Sequence, residues 1–144
     1  MTQEAPGAGL TPGWALDIKV ARADGEPWDL GKPKNQKKAE MMVDKMAPRL
    51  LVGSPMCTMF SKIQNINDEL MGKEVWDARM ATAEEHMRFA IKMYEKQHRA
   101  GRYFLHEHPR DASSWAMPEM QKLMRRHGVT AVAADLCQFG MKLK

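Results

Sequence analysis

The sequence predicts an α/β domain, Rossmann-like, with a mostly parallel sheet and helices on both faces. Two observations carry that reading. Short apolar runs alternate along the chain with amphipathic stretches long enough to serve as crossover helices, which parallel strands require. The run at 49–53 is apolar at successive positions rather than alternating, as strands covered on both sides tend to be.

Each element has its own signal. Residues 1–13 hold Pro6, Gly7, Gly9, Pro12 and Gly13 without periodicity and read as a flexible lead-in, leaving 14–144 as one domain. Trp14–Ala21 (WALDIKVA) alternates apolar and polar residues, a strand whose buried part ends at Asp17. Asp24-Gly25 signals a turn, and Pro27 and Pro33 keep 26–34 irregular. Across 35–47, Ala39, Met42, Val43 and Met46 share one helical face, and Pro48 stops that helix. Arg49–Gly53 is the next strand. Residues 58–77, with Gly72 and the polar stretch 65–68, read as a loop holding short helical turns.

Thr82-Ala83-Glu84-Glu85 has the form of a capping box, opening a helix that runs to Ala100. Its buried stripe is Ala83, Met87, Ala90, Ile91 and Tyr94, and Gly101 terminates it. Arg102–His106 (RYFLH) follows as a strand ending in Glu107-His108-Pro109. Asp111–Ser114 form a turn, and Pro118 suits a first helical position. Met120, Leu123 and Met124 give that helix its inner face, and His127-Gly128 close it. Val129–Ala134 (VTAVAA) is the final strand, ending at Asp135.

Composition narrows the function classes. At 144 residues and 44% hydrophobic content the chain suits one core-bearing domain. Two cysteines, Cys57 and Cys137, are too few for a disulfide framework, and no basic-then-apolar leader is present, so an intracellular, reducing setting is expected. No apolar run reaches membrane-spanning length, so no membrane partner is expected. The 22 Lys plus Arg against 18 Asp plus Glu give a net charge of +4, which permits a polyanionic partner without demanding one. Lys34, Lys37 and Lys38, with Arg125, Arg126 and His127, form small basic groups at helix ends, solvated faces or phosphate contacts. The fourteen methionines, at helical spacings, read as adaptable core filling.

Chemistry is expected where strands end. Cys57 follows the 49–53 strand, Glu107 follows 102–106 and Asp135 follows 129–134, so a parallel sheet would set all three along one edge. A thiol and a carboxylate there can act as nucleophile and as proton donor or hydrogen-bond partner to a substrate. The competing reading is plain: strands end in polar residues because they end at the surface, and Cys57 is a small packed thiol. His106 and His108 lie two apart in H-E-H, but no second pair completes a zinc spacing, so no metal is expected. Neither a P-loop nor G-x-G-x-x-G occurs.

Gly53-Ser54-Pro55-Met56-Cys57-Thr58-Met59-Phe60-Ser61, then Phe104-Leu105-His106-Glu107-His108-Pro109 after a helix, then Ala134-Asp135-Leu136-Cys137-Gln138-Phe139-Gly140, resembles the DNA cytosine-C5 methyltransferases in order and strand placement. Methyltransferase-like segments of mobile-element polyproteins are similar too. That resemblance, over roughly 14–140, implies Cys57 as the nucleophile on cytosine C6 and Glu107 as partner of the pyrimidine edge. It further implies Ser61, His108 and Asp135 against substrate, S-adenosylmethionine as methyl donor, and Asp17, Asp29 and Pro55 near that cofactor. The base must leave the helical stack to be reached, so DNA is the implied partner. Met56 stands where the family has its second loop proline, and His108 where it has asparagine. No strand delivers Gly7 or Gly9 as the family's Phe-x-Gly-x-Gly cofactor turn. The expected fold is therefore incomplete relative to the whole methyltransferase, its missing parts supplied by a homo-oligomer or larger assembly. The alternative is a catalytically inactive module of the same fold that binds nucleic acid or protein.

Overall fold

The computed structural model describes residues 5–20, 25–62 and 71–135. Helix α1 (Pro33–Met46) begins with proline in its first turn, where a fixed φ suits the helix and the missing N–H costs nothing. It ends at Ala47, which turns left-handed (φ 43°) while its N–H donates to the Val43 carbonyl at 3.0 Å. Pro48 enforces that exit, because a residue before proline is pushed out of the right-handed helical region. Strand β1 (Leu50–Gly53) follows, then a single 3-10 turn, Thr58–Phe60.

Helix α2 (Lys73–Arg99) starts nine residues before Thr82 (82 − 73), so the capping-box expectation is corrected. Gly72 occupies the N-cap, and Thr82 lies inside the helix with its hydroxyl donating to the Ala78 carbonyl at 3.0 Å. Residues 73–81 hold good helix formers and neither proline nor glycine, so nothing stops the helix short of Gly72. Residues 63–70 of the expected loop lie outside the described residues. Gly101, at φ 66°, turns the chain into β2 (Tyr103–His106), and Pro118 opens α3 (Pro118–Met124) after the 3-10 turn Ser113–Ala116.

The result is a mixed α/β arrangement in which β1 and β2 pair in parallel, Leu50 opposite Tyr103 and Gly53 opposite His106. Two expected strands do not form. Trp14 and Leu16 point inward as their alternation required, yet they pack against the α1–α2 cluster without pairing. The chain then closes into a turn in which the Lys19 N–H donates to Asp17 Oδ1 (2.8 Å) and the Val20 N–H to the Asp17 carbonyl (2.9 Å). Ala21 and Asp24 lie outside the described residues. Residues 129–135 pair with no strand among the described residues, with Val132 84% exposed, because their alanines offer too little apolar surface to dock.

Among the described residues, helices cover one face of the sheet, not the two expected. Leu51, Phe104 and His106 turn toward α2, while Leu50, Val52, Tyr103 and Leu105 of the opposite face are exposed. Helix α2 runs antiparallel to the strands: Tyr94 lies against Gly53 at their C-terminal ends, and Gln97 lies at their N-terminal ends. Gln97 is fully buried and satisfied, with Nε2 donating to the carbonyls of Pro48 (2.8 Å) and Tyr103 (3.1 Å) and Oε1 accepting from Arg102 Nε (2.6 Å). Helix α1 runs parallel to α2, since Glu40 pairs with Lys92 and Lys96, and Asp44 pairs with Lys96.

The core follows the expected stripe. Met87, Ile91 and Tyr94 of α2 join Phe60, Met117, Met120 and Leu123 in one cluster, and Ala39 and Val43 of α1 meet Phe89 and Met93 in another. Burying such side chains contributes about 1.5–3 kcal/mol each. Met46, expected on the α1 inner face, is exposed because the helix ends there.

Candidate functional site

Parallel pairing fixes which chain segments meet at the C-terminal end of the sheet. Gly53 lies opposite His106, so residues 54–57 and 107–109 leave the sheet side by side, and the Glu107 N–H still donates to the Gly53 carbonyl at 3.0 Å. The two segments are then tied through side chains. Ser54 Oγ donates to Glu107 Oε2 at 2.6 Å, a short charge-assisted bond between residues 53 apart in sequence. Cys57 is half-buried three positions on from Ser54, which places its Cα within about 11 Å of that of Ser54. Its carbonyl accepts the Phe60 N–H at 3.0 Å, so the 3-10 turn anchors the loop to Phe60, which is buried in the core.

Beneath this loop lies a cluster of imidazole and aromatic rings. The Tyr94 hydroxyl bonds His106 Nδ1 at 3.1 Å, and the Ser114 hydroxyl bonds His108 Nδ1 at 2.6 Å. The His106 and His108 rings stack with centroids 5.4 Å apart, Trp115 meets His106 edge-on at 5.2 Å, and Phe60 meets His108 edge-on at 5.7 Å. The Nε2 atoms of both histidines are buried without a protein partner among the described residues. Burial lowers the His106 imidazole to about 4, helped by the neighbouring His108 and opposed by Glu107. His108 is lowered as well, chiefly by burial, with the Glu107 carboxylate and the Met56 backbone pulling the other way. Burial raises the Tyr94 phenol far above its usual range. At neutral pH these rings are uncharged hydrogen-bonding spacers that support the loop, and among the described residues no three His, Cys, Asp or Glu side chains are grouped to hold a metal.

The expected site residues divide cleanly. Glu107 is held through Ser54 to the loop that carries Pro55 and Cys57, Ser61 follows the 3-10 turn after that loop, and His108, only 8% exposed, serves as a buried support. Asp17 and Asp29 lie on the N-terminal arm. Asp17 holds its own turn, while Asp29 Oδ1 accepts the Gly31 N–H at 3.0 Å and Oδ2 pairs with Lys32 at 3.5 Å. Asp135 ends an unpaired segment, not a strand, and is exposed. Cys137 lies outside the described residues. Sequence reasoning missed the supporting set of Ser54, Tyr94, Ser114 and Trp115. Tyr94 was legible only as a stripe residue, and Ser113-Ser114-Trp115 carries no periodic or motif signal. Compared with known protein families, curated proteins and solved structures, the chain matches none.

Proposed function

We propose that the Cys57 loop and Glu107 form the centre of a DNA cytosine-C5 methyltransferase-like domain. The observation that carries the reading is the Ser54–Glu107 hydrogen bond, which holds the carboxyl against the loop bearing the thiol. In this reading β1, α2 and β2 are one crossover unit of a Rossmann-like sheet. The Cys57 thiolate adds to C6 of a flipped-out cytosine, the C5=C6 π bond opening toward C5 as the S–C6 bond forms, while Glu107, in its protonated form, donates a hydrogen bond to N3 and draws electron density from the ring. After methyl transfer the C5 proton passes to a water molecule, the C–H electron pair restores the C5=C6 bond, and the S–C6 bond breaks to return the Cys57 thiolate. S-adenosylmethionine supplies the methyl group when bound. The donor set fits it in part: Asp17 keeps Oδ2 without a partner among the described residues, available to a ribose hydroxyl, whereas both Asp29 oxygens are engaged.

The test is covalent capture. The chain is incubated with an oligonucleotide carrying 5-fluorocytosine and with labelled S-adenosylmethionine, and the product is read by mass and label. A stable adduct that disappears in Cys57→Ser and slows in Glu107→Gln is expected, and absence of any wild-type adduct overturns the assignment. One observation favours a second reading, an inactive module of the same fold that binds nucleic acid or protein: residues 14–20 form no strand from which a cofactor turn could spring. DNA binding without adduct or cofactor binding would select it.

A further inference from the structure

We propose that the solvent face of α1 is a binding ridge for the phosphate backbone of a nucleic acid. The ridge arises from how the helix sorts its charges. At 100° per residue, Lys34, Lys37, Lys38 and Lys45, all the lysines of α1, fall within an arc of about 100° centred opposite Ala39 and Val43. Only Met41 shares that arc, and no acidic residue does. The helix's two acidic residues sit on its flank toward α2, where Glu40 takes Lys92 (2.7 Å) and Lys96 (3.0 Å) and Asp44 takes Lys96 (2.7 Å). Those three ion pairs neutralise the acids internally and hold α1 in one rotational setting. Lys34, Lys37 and Lys45 are exposed and make no ion pair among the described residues.

Dimensions and chemistry select the partner. From Lys34 to Lys45 the helix advances about 16 Å, a span that meets roughly five phosphates along one strand of a duplex at 3.4 Å each. Lysine supplies point charges on flexible stems, suited to phosphates whose exact register is not read. A membrane surface would need an apolar face beside the lysines, and the apolar face of α1 is buried against Phe89 and Met93.

The placement of the ridge also links it to the candidate centre. Because α1 parallels α2 and α2 opposes the strands, the Lys34 and Lys37 end of the ridge lies toward the sheet end from which Ser54 and Glu107 emerge. Lys37 also borders a groove of about 380 Å³ between α1 and α2, whose walls carry Glu40 and Glu85 as well as Arg88 and Lys92. A strand lying on the ridge would thus run toward the Cys57 loop. The choice of polyanion rests on the nucleic-acid part of the proposed function, while the ridge itself rests on the charge sorting of α1.

The experiment measures binding of the full chain to a fluorescent DNA duplex by anisotropy across a salt series. Wild type is expected to bind with a steep salt dependence. Lys34→Gln/Lys37→Gln/Lys45→Gln is expected to bind about tenfold or more weakly at low salt, with the log–log slope reduced by about 2–3, near 0.9 per phosphate contact. Lys122→Gln/Arg125→Gln, on α3 and its C-cap, which removes two positive charges elsewhere, should keep most of the affinity. Circular dichroism and urea midpoints confirm that both variants fold, as expected for exposed side chains. The ridge is overturned if wild type does not bind, if the triple variant keeps the wild-type slope, if the α3 variant loses as much, or if poly-glutamate competes as well as DNA. Lysine-independent binding with a Cys57 adduct would overturn the ridge alone, and lysine-dependent binding without an adduct would overturn the nucleophile alone.

Discussion

Replacing Gly53 with alanine adds a single methyl group where the β1 backbone meets the Tyr94 ring. That Cβ would fall on the Tyr94 hydroxyl oxygen, with Cζ at 2.8 Å and Cε1 at 3.0 Å. Gly53 is not at positive φ, so on backbone grounds alone alanine should stabilise the strand by about 0.5–1 kcal/mol. The sign is reversed by packing. Tyr94 is 1% exposed, stacked on Phe104 at 5.1 Å and bonded to His106, so it cannot swing aside. Overpacking costs about 1–3 kcal/mol, and breaking the Tyr94–His106 bond between buried groups costs about 1–3 more. Gly53→Ala is therefore expected to destabilise by about 1–5 kcal/mol, lowering the urea midpoint by about 0.5–2 M. Tyr94→Phe in the same chain removes the oxygen but not Cζ, so the double variant should recover part of the loss. The coupling between the two changes should be favourable by about 0.5–3 kcal/mol. Strict additivity, or a single variant at least as stable as wild type, would refute the close contact.

The remaining predictions concern the ring cluster and α2. His106 titrates near 4 in the fold against about 6.5 in an unfolded chain, so between those values the unfolded state binds the extra proton. Stability is thus complete above about pH 6.5 and falls as pH drops toward 4; urea midpoints across that window should slope, and His106→Gln should flatten them. Ser114→Ala leaves buried His108 Nδ1 without its 2.6 Å partner and should cost about 1–3 kcal/mol by chemical denaturation. Thr82→Ala, in mid-helix, should stabilise by about 0.5 kcal/mol, whereas loss of an N-cap would destabilise by about 1, so the sign in thermal unfolding decides which helix start is right.

Local chemistry was legible in the sequence wherever one residue dictates its own backbone. Pro48 ended α1, Gly101 ended α2, and Pro118 opened α3, whereas Pro33, expected in an irregular stretch, in fact opens α1. The α2 stripe was legible because period 3.6 survives whatever the helix packs on. Strand pairing was not, because alternation in 14–20 and β-branched residues in 129–134 state only that a segment suits an extended form. Whether it finds an edge depends on partners distant in sequence. The Asp17 turn and the small alanine side chains decided against pairing. Thr82 shows the same limit from the other side: a capping box matters only if the helix has not already begun. Of the candidate site, Cys57 and Glu107 were legible as strand-end residues, but their tether through Ser54 was not, since no spacing rule relates residues 53 apart.

That separation has a kinetic consequence. The parallel pair has no hairpin route, and everything between Gly53 and Tyr103, α2 included, must be folded back before the first ladder bond forms. Closing a loop of this length costs roughly 3.5 kcal/mol of chain entropy before any sheet contact compensates. Helix α2, built from local contacts, should therefore be in place early, and the two strands should zip last against its Tyr94 and Gln97. The meeting of Ser54 with Glu107 is then a late folding event, and hydrogen exchange at the Glu107 amide, bonded to the Gly53 carbonyl, would report the assembly of both strands at once.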